Sequence, residues 1–306
     1  LNFKNKRVLV RCDFNVPLNE KGEIQDDFRI QQSLKTINYL IEREAKVVLM
    51  THLGDPQGKM EEKLSVKKIQ EKLAEYLKHP VLWASDCIGK DVEKMISKLK
   101  EGEVLILENL RFHPEEKMND SRFAKELAKL GDVYINDAFG VCHREHASVV
   151  GLPKYLPSGA GFLLEKEIKV LSRVLKNPWR PLVAIIGGAK AKTKVPLVRK
   201  LLEKADYCLV GGGVANTFLK AWGYEIGESL VDKKMVELAH KLFWKAAKSN
   251  TAMILPEDVV LGKLKNNKIG KVVKVNQIPS DWQALDIGPQ TQAEFGNIIA
   301  QAGTII

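Results

Sequence analysis

Short, almost wholly apolar runs alternate along the chain with longer stretches in which apolar residues recur every three or four positions. Segments 7–12 (RVLVRC), 46–51 (KVVLMT), 81–84 (VLWA), 103–109 (EVLILEN) and 132–137 (DVYIND) read as strands buried on both faces. Between the first two, Ile30, Leu34, Ile37, Leu40 and Ile41 share one face of a helix over 30–44. Another helix is expected over 65–77, with Ser65 as its N-cap. The turn-rich stretch 151–161 breaks the rhythm, and a helix with few breakers follows over 162–175. A second alternating set comes next: strand 182–186 (LVAII), helix 195–204, strand 207–210, helices 214–222 and 233–248, and strand 252–255. LPEDVV (255–260) and ALDIGPQT (284–291) read as loops. Strand–helix alternation with apolar strands implies parallel sheets covered on both faces, so an α/β chain of two domains joined through helix 162–175 is expected.

Composition narrows the class. The 45% hydrophobic fraction suits a globular chain with a substantial core, and no uninterrupted apolar run approaches the ~18 residues of a membrane span. Charges interrupt the first apolar stretch, LNFKNKRVLV, so no signal peptide is read there. Cys12, Cys87, Cys142 and Cys208 are scattered without a C-x-x-C pair. Neither a disulfide framework nor a zinc site is expected, and a reducing cytoplasm is the simplest setting. Lys and Arg number 48 against 38 Asp and Glu, a net charge of +10. The cations are dispersed, which favours small phosphates over nucleic acid as anionic partners. The chain starts at Leu1 and its last residues, AQAGTII, read as the start of a buried strand. A fragment lacking its C-terminal part is the expectation.

In open parallel sheets ligands bind beyond the C-terminal strand ends, so the segments after each strand carry the chemistry. CDFNVP follows the first strand; Asp13 and Asn15 either hold a hydroxyl-bearing ligand or form an Asx turn ahead of Pro17. THLGDP follows the second; His52 and the Gly54 backbone either meet an anion or belong to an ordinary loop. ENLRFHPEE sets Arg111 at a strand end, where a guanidinium can grip phosphate or carboxylate with two bonds. NDAFGVCHREHAS brings His143, Arg144 and His146. Two histidines near an acid hint at a metal, but the intervening arginine opposes one. Arg29 opens the first helix, whose N-terminus also favours anions. Together these residues suit a small, multiply anionic molecule carrying a hydroxyl.

The second half offers a different set. AIIGGAKAKTKVP (184–196) stops an apolar run at Gly187 and Gly188, with Lys190, Lys192 and Lys194 close behind. It is not a P-loop, because G-x-x-x-x-G-K-[ST] does not occur. LVGGGVANTF (209–218) places Gly211, Gly212 and Gly213 likewise between strand and helix. Such glycines let backbone approach a phosphate or a flat ring, or simply allow tight helix–strand packing. A dinucleotide-dependent dehydrogenase is opposed by the missing G-x-G-x-x-G fingerprint.

RVLVRCDFNVPL, THLGDP, LENLRFHPEE, NDAFGVCHREHAS, GGAKAKTK, GGGVANTFL and ALDIGPQT occur in the order seen in the phosphoglycerate kinase family, which the whole chain resembles. The resemblance implies two doubly wound parallel-sheet (Rossmann-like) domains joined by a helix and hinge, the second incomplete. Residues 1–155 would bind phosphoglycerate, 156–180 form the interdomain helix and hinge, and 181–306 bind nucleotide. It implies a monomeric phosphotransferase moving phosphate between 1,3-bisphosphoglycerate and ADP, giving 3-phosphoglycerate and ATP, with Mg2+ accompanying the nucleotide. By motif, Asp13, Phe14 and Asn15 would hold the glycerate, and Arg29, His52, Gly54, Arg111 and Arg144 its anionic ends. Arg29 and Lys190 would face the transferring phosphoryl group. Lys194, with Gly187 and Gly188, would meet the nucleotide phosphates, and Gly211, Gly212 and Gly213 the adenine. Lys192 would be solvated.

Two departures from the family pattern stand out. Asp55 occupies a position usually held by arginine, and Lys59 is the expected compensating charge. The family's later glycine-rich loop and its metal-binding aspartate are expected beyond Ile306, so no metal ligand is assigned within the chain. The alternative reading is an inactive fragment that binds phosphoglycerate only.

Overall fold

The strands β1 (Arg7–Arg11), β2 (Lys46–Met50), β3 (Val81–Trp83), β4 (Val104–Ile106), β5 (Val133–Asn136) and β6 (Ser158–Ala160) form one sheet in the order β3-β4-β2-β1-β5-β6, every pair parallel. This computed structural model describes residues 2–263 and 268–306. Helices α1 (Phe28–Ile41), α2 (Lys67–Leu77), α3 (Lys90–Ser97), α4 (Pro114–Lys117) and α5 (Ser121–Lys129) connect the strands. Strand side chains alternate between faces, and the alternation divides the core. Val8, Val10, Val47, Leu49 and Ile106 pack with Ile30, Ile37 and Leu40 of α1 and with Ile69 and Leu73 of α2. Leu9, Val48, Met50 and Leu105 pack on the other face with Val92 and Ile96 of α3 and with Phe123 and Leu127 of α5. This is the doubly wound arrangement that uninterrupted apolar strands require.

Helix α6 (Phe162–Lys176) follows. Its first turn is anchored by buried Asp137, whose Oδ1 accepts from the Leu163 and Leu164 amides at 2.9 and 3.2 Å. Contacts divide the chain into two compact units, Leu1–Val170 and Leu171–Ile306, with the division inside this helix.

In the second unit β7 (Leu182–Ile186), β8 (Tyr207–Val210), β9 (Ala252–Ile254) and β13 (Thr304–Ile305) form a parallel sheet ordered β13-β7-β8-β9. β10 (Asp258–Lys263), β11 (Lys268–Lys274) and β12 (Gln283–Ile287) make a separate antiparallel sheet ordered β11-β10-β12. Helices α7 (Ala191–Leu201), α8 (Gly212–Ala221) and α9 (Val236–Ala247) cover one face of the parallel sheet, through Val195, Val198, Phe218 and Leu242. α10 (Pro289–Ala300) covers the other, through Phe295.

Four local expectations are corrected. α7 begins at Ala191 rather than 195, because Ala191, Val195 and Val198 already share a buried face and the interleaved lysines hid it. α2 begins at Lys67 with Val66 in the N-cap position, one residue after Ser65; the Ser65 hydroxyl accepts from the Lys67 amide at 3.3 Å and donates to Glu108 Oε2 at 2.7 Å, while Glu108 Oε1 accepts from the Val66 amide at 2.9 Å. A buried carboxylate from the strand-end loop thus anchors the helix start. The stretch 151–161 contains β6, three small residues that became a strand because β5 offers them an edge. LPEDVV and ALDIGPQT are half strand, running into β10 and out of β12, and Thr291 ties their ends by donating to Asp258 Oδ1 at 2.6 Å.

Candidate functional site

The first unit gathers its cations at the C-terminal edge of the sheet, where each strand hands over to a loop. Arg11, the last residue of β1, is fully buried. Its Nε donates to Ser148 Oγ at 2.9 Å, one terminal nitrogen bonds the Cys12 carbonyl, and the other lies 3.1 Å from His52 Nδ1. An arginine can only donate, so His52 Nδ1 accepts, and the neutral ring carries its proton on Nε2. Burial, followed by the charges of Arg11 and Arg111, holds the His52 pKa far below its usual value, so the ring stays neutral. Ser148 also donates through its amide and hydroxyl to buried Glu116 at 2.9 and 2.5 Å. One hydroxyl therefore separates the buried cation from the buried anion, and every member of that chain is fixed by its neighbours.

Arg111 is in the turn after β4, where its amide donates to Asn109 Oδ1 at 3.1 Å. One terminal nitrogen donates to the Gly54 carbonyl at 2.7 Å, while its buried Nε has no hydrogen-bond partner. Burial lowers its pKa, with Asp55 opposing and Arg144 and Arg11 reinforcing. His146 is also buried with an unpartnered Nδ1, 3.8 Å from Glu116 Oε1. Burial and the Arg111 and Arg144 charges take its pKa down to about 4. Arg144 is exposed and lines a cavity of about 530 Å³ with Lys117, Asn119, His143 and His146. Buried polar groups are rarely left unpaired, and here two of them accompany a surplus of positive charge. The arrangement suits an anionic ligand.

The other expected residues are placed less uniformly. Arg29, in the first turn of α1, donates to Asp13 Oδ2 at 2.6 Å. Asp13 Oδ1 also accepts from the Asn15 amide at 3.4 Å, so the Asx turn is present. Asn15 Oδ1 accepts from the Gly54 amide at 2.8 Å, which corrects the reading that Gly54 offers that N–H to an anion. Phe14 is a core side chain whose amide donates to Thr51 Oγ1 at 3.0 Å, so what it brings to the site is position. Asp55 is compensated by Lys117, not by Lys59: the two form an ion pair, and this contact lowers the Asp55 pKa.

The second unit holds its set apart from these, in two facing glycine loops. Gly188 adopts φ +105°, in the region that favours glycine, and has open space where a Cβ would be. Gly212 has φ +60°, and a Cβ there would lie 3.1 Å from the Gly188 nitrogen. At Gly213 a Cβ would come within 3.3 Å of the Gly188 carbonyl oxygen. A side chain at Gly212 or Gly213 would therefore push the two loops apart by a few tenths of an ångström. Gly187 and Gly211 stand at the ends of β7 and β8. Lys190 is the N-cap residue of α7, and Lys192 and Lys194 are in its first turns; all three are exposed. Among the described residues, neither the Lys190 nor the Lys194 ammonium has an ion-pair partner.

Sequence reasoning missed Arg11, Glu116, Lys117 and Ser148, and weighed His146 only as a metal ligand. The available signal was a lone arginine closing an apolar strand. As for metals, the one described group of three donor side chains is Asp86, Cys87 and His113, in the first unit. With a single carboxylate, it does not suit Mg2+, which demands oxygen ligands.

The family model described as phosphoglycerate kinase matches residues 1–306. The chain is 50% identical over 307 residues to phosphoglycerate kinase of Moorella thermoacetica, covering 100% of this chain and 78% of that protein. Identity to the Aquifex aeolicus enzyme of the same name is 46%, with 100% and 77% covered. Among solved structures, phosphoglycerate kinase from Pyrococcus horikoshii aligns with TM-score 0.86 at 33% identity, covering 100% of this chain and 78% of that one. The Coxiella burnetii structure gives 0.83 at 38%, covering 100% and 77%. Glycine loops, buried basic edge and doubly wound sheets thus meet in one assignment: the chain belongs to the phosphoglycerate kinase family.

Proposed function

We propose that the chain carries out its family's glycolytic reaction, reversible phosphoryl transfer from 1,3-bisphosphoglycerate to ADP giving 3-phosphoglycerate and ATP. The observation that carries the assignment of the first unit is its buried cationic edge. Arg11 and Arg111 are held among neutral His52 and His146, and Arg111 Nε is left unpartnered. In this reading the carboxylate and phosphate ends of phosphoglycerate take the open donors of Arg111, Arg144 and His52. Asp13 and Asn15 receive its hydroxyl.

Phosphoryl transfer needs little covalent help, so positioning and charge stabilisation supply the catalysis. The acyl phosphate bond breaks as a terminal oxygen of ADP bonds to the same phosphorus, and the carboxylate leaves. Arg29 and Lys190 would neutralise the oxygens of the group in flight, with residues 156–180 acting as the hinge. Lys194 would hold the nucleotide phosphates, and Gly211, Gly212 and Gly213 would lie against adenine. Mg2+ would arrive with the nucleotide and draw charge from its phosphate oxygens. Four free cysteines support a cytoplasmic setting.

A coupled ATP-formation assay on the chain, run beside direct titration with 3-phosphoglycerate and with ADP, tests the proposal. Turnover with saturable binding of both substrates is expected. Phosphoglycerate binding without turnover would restrict the function to the first unit's ligand.

A further inference from the structure

On the same C-terminal edge of the first sheet, the loop after β3 and the turn after β4 bring together three side chains to which nothing above gives a role. We propose that Asp86, Cys87 and His113 form a binding site for one thiophilic transition-metal ion of the Zn2+ type. Their candidate ligand atoms, a carboxylate oxygen, Sγ and an imidazole nitrogen, lie within 4.8 Å of one another. In tetrahedral zinc sites donors sit about 2.0–2.3 Å from the metal, hence roughly 3.3–3.7 Å apart. Reaching that spacing requires Asp86 Oδ1 and His113 Nε2, now 2.7 Å apart, to separate by somewhat under one ångström, and any donor pair standing as far as 4.8 Å apart to close by about one.

The surroundings favour a cation. Burial, and after it the charges of Asp86 and Glu116, push the Cys87 thiol up, and a cation placed against these two carboxylates offsets their charge. The Cys87 amide donates to Asp86 Oδ1 at 2.6 Å, which fixes one ligand against the next. The His113 ring stacks on Phe123 with centroids 5.2 Å apart, which sets its plane. Half of the Asp86 side chain is exposed, giving the ion a route in and room for a water as fourth ligand. Thiolate, imidazole and carboxylate together select zinc over magnesium or calcium. Binding displaces the thiol proton to solvent and leaves the cysteine oxidation state unchanged. Cysteine spacing argued against zinc because it exposes only donors near in sequence; here the fold supplies a histidine 26 positions further on.

The test is a titration of the reduced chain with Co2+ alone, followed by Zn2+ alone, at neutral pH. A thiolate-to-cobalt charge-transfer band saturating at one equivalent and erased by Zn2+ is expected. The band should vanish in Cys87→Ser, weaken at least tenfold in affinity in His113→Gln and in Asp86→Asn, and persist in Cys142→Ser, which removes the one exposed thiol. Circular dichroism shows whether Cys87→Ser folds. Should it not, the two more exposed variants and Cys142→Ser still decide. No band in the unaltered chain, full affinity in both His113→Gln and Asp86→Asn, or loss of the band in Cys142→Ser would each overturn the proposal.

Discussion

The two units present positive charge in opposite ways. In the first, Arg11 and Arg111 are buried; Arg11 donates through all three nitrogens to the Ser148 hydroxyl, the Cys12 carbonyl and the His52 ring, and one terminal nitrogen of Arg111 is held by the Gly54 carbonyl. In the second, Lys190 and Lys194 stand exposed at a helix start. A buried, cross-linked cation cannot follow a moving group, but it can hold a ligand in one pose at little further ordering cost. A solvated lysine on a flexible stem can track charge as it moves. The contrast suits a division of labour between gripping a small acid and stabilising a phosphoryl group in transit.

The sharpest way to break this contrast is Lys190→Ala. Turnover in the coupled assay should fall on the order of 10³-fold, the scale of removing one charge-stabilising donor. Phosphoglycerate affinity by calorimetry should stay within about twofold. An equal loss in both would place Lys190 in ground-state binding. Next is Arg11→Met, which strands Ser148, His52 and the Cys12 carbonyl. Urea denaturation should show a loss of about 3 kcal/mol, the cost of breaking a buried charged network from one side.

A pH experiment probes the same buried edge. His146 titrates near 6.5 when unfolded but at about 4 in the folded chain. As pH falls from about 6.5 towards 4, the unfolded chain takes up the proton first, and stability declines; below that the contribution levels off. His146→Gln should therefore remove about 2 kcal/mol of the stability lost between pH 7 and about 4.5, read from denaturant midpoints. An unchanged pH profile would mean the ring is better solvated than its burial implies. The smallest effect belongs to Asp55→Asn. Releasing Lys117 should tighten phosphoglycerate binding only a few-fold at low salt, and the gain should fade as salt rises, since the pair is half exposed.

Strands buried on both faces were legible because nothing else in a chain of this type is so uniformly apolar: β1, β2 and β5 were placed within a residue or two. β6 was not, since Ser158-Gly159-Ala160 carries no strand propensity and depends on the edge of β5. β10 and β12 were hidden by Pro256, Asp258 and Gly288, residues that usually mark loops, though Asp258 here is buried and bound to Thr291. At the site, residues beyond strand ends could be found from topology alone. The network behind them could not: Glu116 meets Ser148 across 32 positions, and Arg11 meets Ser148 across 137. Lys59 was chosen for Asp55 by nearness in sequence, whereas Lys117 is nearer in space.

The contact between the two glycine loops makes them behave as a keyed joint. A single methyl at Gly212 would press on the Gly188 nitrogen, two residues ahead of Lys190. Whatever displaces the Gly211–Gly213 loop is then felt, through backbone alone, at the peptide two residues ahead of Lys190, the lysine proposed to face the phosphoryl group. Displacement at one loop is converted into alignment at the other without any side chain acting as messenger.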